Sequence, residues 1–226
     1  ISFQVIRLTC AVLCLVAAFL DFLNQFGIEV FGEDDPYIDT EVIEVAWRYL
    51  QELGLKDLTL TINSIGDPSC RPKYIEHLKS YYQPHIGKVC EDCSRRISTN
   101  PLRLLDCKND PCQELIENAP KSIEMLCDAC ANHWNALVAN LDKIGLQYEV
   151  ENRLVRGLDY YTRTVFEISP PDEGRMSVIA GGGRYDGLLE ELGGGHTPGI
   201  GFGMGIERVI ENIRRQNISQ NQDTER

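Results

Sequence analysis

Gly199-Ile-Gly-Phe-Gly-Met-Gly-Ile-Glu-Arg208 carries a glycine at every second position up to Gly205. Because successive side chains of a strand point to opposite faces, this spacing predicts a strand with one bare face and one apolar face. A helix should begin at Ile206 and hold Arg208 in its first turn, where anions are favoured. Tight packing of that helix on the sheet explains the glycines equally well, so ligand binding stays open here.

The patterns on either side of this strand predict an α+β fold, an antiparallel β-sheet flanked by helices, with an inserted, mainly α-helical domain. The predicted helices end at glycines or follow turn residues. The predicted strands lie at 26–32, 58–63, 147–150, 164–169 and 176–180. The predicted helices lie at 40–53, 127–144, 187–192 and 206–215.

Five segments follow from these patterns. Residues 1–23 form an atypical apolar N-terminal segment, and 216–226 form a polar tail. Residues 24–65 and 147–215 form the two parts of the sheet core, separated by the helical insertion at 66–146. The apolar run from Leu8 to Leu20 is too short to span a bilayer as a helix, so we expect no membrane partner.

Charge is unevenly distributed along the chain. The whole chain has a net charge of −12, whereas residues 71–108 hold eight basic and four acidic residues and are therefore net positive by 4. Such asymmetry indicates that the insertion meets an anionic partner. The alternative is an ordinary solvated face of mixed charge.

Cysteine is frequent, with nine residues in a chain too large to need a disulfide scaffold. Six of them lie between Cys90 and Cys130, which favours a reducing compartment and either thiols or a metal site. Two C-x-x-C pairs predict one four-cysteine zinc site, with thiols packed in a small core as the alternative. The predicted ligands are Cys90, Cys93, Cys127 and Cys130.

Two further blocks are unusually polar for a sheet. Arg156-Gly-Leu-Asp-Tyr-Tyr-Thr-Arg-Thr-Val-Phe-Glu167 combines charged, phenolic and hydroxyl side chains beside a predicted strand. Buried polar groups at this density need partners, which a polar ligand would supply, although an exposed strand edge fits equally well. Ala180-Gly-Gly-Gly-Arg-Tyr-Asp-Gly187 permits close backbone approach, but by itself it favours a turn.

Together, the three blocks resemble the class II aminoacyl-tRNA synthetases, and within them the histidyl-tRNA synthetase family. The blocks that begin at Arg156 and Ala180 resemble the histidine-binding motifs of that family, and 199–208 resembles motif 3 of the class. Gln25-Phe-Gly-Ile-Glu-Val-Phe-Gly32 resembles the end of motif 2, while 63–66 and 100–108 resemble the insertion domain. The resemblance covers about residues 24 to 215.

The resemblance implies ATP-dependent activation of L-histidine to histidyl-adenylate, followed by transfer to the 3′ end of tRNA(His). Arg156 would be the catalytic residue and would contact the α-phosphate and the substrate carboxylate. The other histidine-binding residues would be Gln25, Glu29, Tyr160, Tyr161 and Tyr185. The ATP-binding residues would be Gly203, Gly205 and Arg208, with Mg²⁺ accompanying ATP.

The family also implies partners and a compartment. The insertion would contact the acceptor stem of tRNA(His), a homodimer would be expected although motif 1 is missing, and the location would be the cytoplasm or an organelle. The motif 2 arginine should lie shortly before Gln25, where Arg7 is the only basic residue. We therefore expect the 226-residue polypeptide alone to be inactive, or nearly so.

Two alternatives belong to other functional classes. One is a non-catalytic relative of the synthetases that regulates histidine biosynthesis or senses tRNA. The other is a zinc-binding or tRNA-stem-binding module that acts alone. The intact histidine motif from Arg156 to Glu167 favours the enzyme over the first alternative.

Overall fold

A computed structural model describes residues 2–5, 9–10, 23–155, 160–171 and 178–218. Most of the apolar run at 8–20 and the end of the polar tail lie outside these ranges. Within them, the eight strands are β1 Ser2–Val5, β2 Thr9–Cys10, β3 Leu23–Phe31, β4 Thr59–Ser64, β5 Glu149–Val150, β6 Thr162–Ser169, β7 Ala180–Arg184 and β8 Gly199–Gly205. The α-helices are α1 Pro36–Glu52, α2 Arg71–Tyr82, α3 Glu91–Thr99, α4 Asp110–Glu117, α5 Asp128–Lys143, α6 Leu188–Glu191 and α7 Ile206–Arg215.

The strands form one sheet in the order β1-β3-β8-β7-β6-β4-β5, and β2 also pairs with β3. Every pair is antiparallel except β4 with β5. The predicted antiparallel sheet is therefore confirmed. The glycine-rich β8 lies near the middle of the sheet, between β3 and β7. A ligand on its bare face would therefore contact the central strands of the sheet.

Helix α1 begins earlier than its apolar periodicity predicts, because Asp35 caps it. The Asp35 carboxylate accepts a hydrogen bond of 2.8 Å from the backbone N–H of Tyr37, and Pro36 occupies the first helical position. The helix ends as predicted before Gly54, whose φ of +86° suits glycine. The capped helix thus presents one apolar face to the sheet.

The main core lies between the sheet and the two helices α1 and α5. The buried apolar side chains of the two helices are Ile38, Val42, Ile43, Ala46, Leu50, Leu137 and Leu141. They meet a face of β8 formed by Ile200, Phe202 and Met204, so the glycine face of β8 points away from this core. None of the helices among the described residues is both long and apolar enough to cross a lipid bilayer.

The prediction for β7 is wrong in one respect. The sequence 180–187 alone favours a turn, but Gly181, Gly182 and Gly183 are interior residues of a buried strand. A Cβ on Gly182 would lie 2.1 Å from the carbonyl oxygen of Gly201. Local sequence cannot reveal this, because the need for glycine in β7 comes from the close approach of the β8 backbone, which is distant along the chain.

The segment between β4 and β5 contains helices and no strand among its residues, all of which are described. It has a second buried core, separate from the main one, which includes Tyr74, Leu78 and Tyr82 of α2. The last helix of the segment, α5, packs on α1 in the main core instead. The first residue of the polar tail contacts the rest of the fold, since the Gln216 side chain forms hydrogen bonds of 2.9 and 3.1 Å with the backbone of Lys56.

Candidate functional site

The bare face of β8 is shared by its neighbours. Antiparallel pairing places Gly201 opposite Glu29 of β3 and opposite Gly183 of β7, while Gly203 lies opposite Gly27 and a further glycine of β7. Cross-strand partners point to the same side of an antiparallel sheet. Three adjacent strands thus form a shelf of backbone without large side chains on the face opposite the main core.

One end of the shelf is covered by three phenolic rings, those of Tyr160, Tyr161 and Tyr185. Their centroids are 4.6 to 6.3 Å apart. A Cβ added to Gly183 would lie 3.0 Å from the Tyr161 ring, and one added to Gly199 would lie 2.6 Å from the Tyr185 ring. The rings therefore rest where these two glycines leave space, which explains the need for glycine there.

Glu29 and the Tyr185 hydroxyl converge over Gly201. A Cβ at Gly201 would lie 2.8 Å from Glu29 Cγ and 3.0 Å from Tyr185 Oη. The Tyr185 hydroxyl is buried and has no hydrogen-bond partner within the described chain. Burial raises the pKa of Tyr185, and the negative charge of Glu29 raises it further. A buried phenol without a partner is costly, so this arrangement is suited to a polar ligand that supplies one.

The other end of the shelf, the open end, is less covered by the described residues. Gly203 is exposed among them, and the one described atom that a Cβ there would approach within 4 Å is Gln25 Oε1, at 3.9 Å. Arg208 lies in the first turn of α7, covers Gly205 with its aliphatic carbons, and donates a 2.7 Å hydrogen bond to the Val178 carbonyl. A flat ligand can lie on this backbone with a guanidinium group beside it.

The predicted ligand-binding residues thus fall into two groups. The closed end of the shelf brings together Glu29, Tyr160, Tyr161 and Tyr185, and the open end brings together Gln25, Gly203, Gly205 and Arg208. Arg156, the predicted catalytic residue, lies outside the described residues. The roles of all nine remain predictions.

A buried polar network lies behind the shelf, and no sequence pattern pointed to its central residue, Asp39. The fully buried Asp39 carboxylate accepts hydrogen bonds from His133 Nε2 at 2.7 Å, Thr164 Oγ1 at 2.6 Å and the Arg184 guanidinium. Burial by itself would raise the pKa of Asp39, but the hydrogen bond with His133 and the charge of Arg184 outweigh it and lower the pKa. The network ties α1 and α5 to β6 and β7, and Arg184 directly precedes Tyr185.

The predicted zinc ligands do not form one site. Cys90 and Cys93 cluster with two other cysteines, whereas Cys127 and Cys130 cluster with Asp67 and Cys70. The predicted grouping is therefore wrong. The C-x-x-C pairs begin two different helices, α3 and α5, and spacing along the chain cannot specify which side chains those helix ends approach.

The antiparallel sheet flanked by helices is the fold of the class II aminoacyl-tRNA synthetases, as the match to a solved histidyl-tRNA synthetase shows. The family model for histidyl-tRNA synthetase matches residues 87–209. The chain belongs to the histidyl-tRNA synthetase family.

Individual relatives agree with this assignment. The chain is similar to the histidine–tRNA ligase of Dehalococcoides mccartyi (strain 195), with 56% identity over 196 residues, or 87% of this chain and 47% of that protein. It is 50% identical to that of Desulforamulus reducens, with the same two coverages. The crystal structure of apo S. aureus histidyl-tRNA synthetase matches with a TM-score of 0.70 and 36% identity, over 88% of this chain and 49% of that one. The chain spans about half the length of these relatives.

Proposed function

We propose that this chain provides the substrate-binding sheet of a histidine–tRNA ligase. The enzyme would activate L-histidine with ATP and then transfer the histidyl group to the 3′ end of tRNA(His). The single observation that carries the proposal is the pair of Glu29 and the buried Tyr185 hydroxyl over Gly201, where the hydroxyl has no hydrogen-bond partner among the described residues. A polar substrate in this pocket would supply partners for polar groups that the fold leaves there.

The closed end of the shelf would hold the imidazole of histidine. A neutral imidazole has one N–H donor and one acceptor nitrogen. The Glu29 carboxylate would accept from the N–H, and the Tyr161 hydroxyl would donate to the other nitrogen, while Tyr160 and Tyr185 line the pocket. Gln25, four residues or about 13 Å from Glu29 along β3, would hold the α-amino group at the far end of the ligand.

The open end of the shelf would hold ATP. A purine can lie flat on the exposed backbone of Gly203, beside Gly205 and the aliphatic carbons of Arg208 that cover it. Arg208 would bind the γ-phosphate by charge-assisted hydrogen bonds. Mg²⁺ would accompany the phosphates, and it is held largely by phosphate oxygens and water, so it requires few protein ligands.

The chemistry would proceed in two displacements. A carboxylate oxygen of histidine attacks the α-phosphorus of ATP, and pyrophosphate leaves. The terminal hydroxyl of the tRNA then attacks the carbonyl carbon, and AMP leaves. The residues act by positioning and electrostatic stabilisation without a protein nucleophile, and Arg156 would offset negative charge at the α-phosphate.

The helical insertion at 66–146 would contact the acceptor stem of the tRNA. Its window of positive charge includes five exposed basic side chains: Lys73, Lys88, Arg95, Arg103 and Lys108. Arg71 belongs to the same window, but it is committed to the fold, since its guanidinium donates to the carbonyls of Ile65, Gly66 and Tyr161. Homodimerisation and a cytoplasmic location are expected from the family.

Titration calorimetry with L-histidine tests the proposal. Glu29→Gln should weaken binding about 10- to 100-fold, as loss of a hydrogen bond to a charged group would. Glu44→Gln, in α1 on the opposite face of the sheet, is the matched control and should bind like the unaltered chain. L-leucine, which lacks the ring nitrogens, should bind far more weakly. Equal binding of the two amino acids, or no effect of Glu29→Gln, would refute the assignment.

Exchange of pyrophosphate into ATP tests the activity of the polypeptide itself. We expect residues 1–226 alone to give little histidine-dependent exchange, because the sequence shortly before Gln25 has no counterpart of the motif 2 arginine. Robust exchange by this polypeptide would contradict that expectation while leaving the assignment of the histidine pocket intact.

A further inference from the structure

The second core, within the helical insertion, has sulfur at its centre. Four thiols meet there, and all four Sγ atoms lie within 4.8 Å of one another. We call this group the four-thiol cluster, and its members are Cys90, Cys93, Cys107 and Cys112. Three of the four are buried, with exposed fractions of 0 to 3%. Their spacing along the chain is C-x2-C-x13-C-x4-C.

The distances match a tetrahedral metal site. Four sulfur atoms at the usual zinc–sulfur distance of about 2.3 Å define a tetrahedron with edges of about 3.8 Å. The Sγ atoms of Cys90 and Cys107 are 3.7 Å apart. No side-chain oxygen or nitrogen ligand is needed to complete the set, because four sulfur atoms already converge.

Backbone amides surround the cluster with hydrogen-bond donors. The N–H of Cys90 donates to Cys112 Sγ at 3.3 Å, the N–H of Cys93 donates to Cys90 Sγ at 3.5 Å, and that of Asn109 donates to Cys107 Sγ at 3.5 Å. Three different sulfur atoms thus accept from main-chain donors. Such outer contacts stabilise the negative charge of metal-bound thiolates and fix their orientation.

Helix ends add to the same effect. Cys90 caps the N-terminus of α3, Cys93 lies in its first turn, and Cys112 lies in the first turn of α4. The partial positive charge at a helix N-terminus favours thiolates over thiols. An apolar core of thiols would need neither the amide donors nor two helix ends directed at one point, so simple packing accounts less well for this geometry.

We infer that the four-thiol cluster binds one structural zinc ion. Tetrahedral coordination by four thiolates is typical of zinc, and a buried site with all four positions taken by protein is a closed, structural one. The ion would join the start of α3, the loop before α4 that holds Cys107, and the start of α4. Because the second core is small, this cross-link would contribute directly to folding of the insertion.

The neighbouring cluster of Asp67, Cys70, Cys127 and Cys130 is not included in the inference. Its Asp67 carboxylate is already hydrogen-bonded by Ser69 and lies 3.8 Å from the Arg163 guanidinium. Contacts within the fold therefore already explain the position of Asp67, which would be the fourth ligand of that cluster. This cluster offers a matched control, because Cys127 is another half-buried cysteine at a helix cap.

The test is metal content and zinc X-ray absorption of the whole chain purified under reducing conditions. We expect the zinc to be bound by four sulfur atoms, one equivalent to be lost in Cys112→Ser, and that equivalent to be kept in Cys127→Ser. Cys90→His, at the half-buried edge of the cluster, should keep the ion but change one ligand from sulfur to nitrogen, which remains informative if Cys112→Ser does not fold.

Three results would overturn the inference. One is a chain without metal whose cluster thiols react freely with a thiol reagent after unfolding. Another is zinc that is lost in Cys127→Ser and kept in Cys112→Ser. The third is an unchanged sulfur count in Cys90→His. None of these measurements depends on histidine or ATP binding, so failure here and failure of the proposed function are separate.

Discussion

Replacing Asp39 by alanine would remove the shared acceptor of the buried network that joins α1, α5, β6 and β7. Its carboxylate accepts from His133 at 2.7 Å, from Thr164 at 2.6 Å and from Arg184 Nε at 3.0 Å. Asp39 and Arg184 are both fully buried. The variant would therefore leave a guanidinium charge inside the protein without its main partner.

The expected loss is at least about 4 kcal/mol in the free energy of unfolding. Removal of one partner from a buried ion pair costs about 3–5 kcal/mol, because the other charge stays desolvated. Arg184 keeps Asp186 at 2.9 Å and the Glu33 carbonyl at 3.1 Å, which limits this contribution. Thr164 loses its acceptor as well, which adds about 1–3 kcal/mol. A domain with a total stability of about 5–15 kcal/mol would be close to unfolding.

Urea denaturation followed by tryptophan fluorescence measures this loss, since Trp47 and Trp134 both pack against the main core. The matched control is Glu44→Ala in the same helix, which breaks a surface pair between the half-buried Glu44 and the exposed Arg48 and should cost at most about 1 kcal/mol. If Asp39→Ala costs no more than Glu44→Ala, the reasoning is refuted.

A double variant separates the effect of breaking the ion pair from the other effects of each substitution. Arg184→Met together with Asp39→Ala removes both charges, so it should be less destabilised than the sum of the single variants. Additive losses would mean that the two residues do not stabilise the fold as a pair.

Three further predictions concern other parts of the molecule. Gly201→Ala would put a methyl carbon 2.6 Å from a backbone carbonyl oxygen of β3. Calorimetry should therefore show lost histidine binding, and urea denaturation should show a loss of about 1–3 kcal/mol in the free energy of unfolding. Gly203→Ala, where the nearest described atom is 3.9 Å away, should keep the stability. Folding lowers the pKa of Asp39 below its ordinary value of 3.8, so its stabilisation is full above that pH and is lost as pH falls below it; urea denaturation at several pH values should show this loss relative to Asp39→Asn. Arg103→Ala should weaken binding of an acceptor-stem RNA and reduce the salt dependence of log K by up to about 0.9, whereas Arg48→Ala, outside the insertion, should change neither.

Each of these predictions has a specific contrary outcome. Equal stability of Gly201→Ala and Gly203→Ala would mean that β3 and β8 do not approach as described. Parallel pH profiles for the unaltered chain and Asp39→Asn would mean that the pKa of Asp39 is not lowered by folding. RNA binding that falls equally in Arg103→Ala and Arg48→Ala would remove the support for a stem contact by the insertion.

The predicted ligand-binding face illustrates what periodicity along the chain can establish. The two-residue repeat in 199–205 correctly assigned a bare and an apolar face to β8, because alternation is a property of any strand. The repeat could not indicate that Gly183 and Glu29 belong to the same surface. Strand pairing brings them there, and in the case of β3 it joins Glu29 to Gly201, more than 170 positions further along the chain.

The cysteines illustrate the opposite case. Their number and the two C-x-x-C pairs indicated a metal site, but the pairing of Cys90 with Cys127 was wrong. A C-x-x-C pair at a helix start always brings its own two sulfur atoms together, since one turn separates them. Which other sulfur atoms they meet depends on how α3 and α4 pack, and that is determined by the second core.

Local sequence patterns therefore predicted the α+β fold class, several strands of the sheet and a mainly helical insertion, but not the separate helices α2, α3 and α4. The family was predicted from the resemblance of whole motifs. Turn residues, glycine alternation and apolar spacing act over a few residues, so they can be recognised from a short stretch of sequence. Only the tertiary structure decided that Asp39 is a fully buried network residue, and that the Tyr185 hydroxyl lies next to Glu29 with no hydrogen-bond partner among the described residues. Burial and partnership depend on distant segments that meet in space, and a single sequence contains no local signal for that meeting.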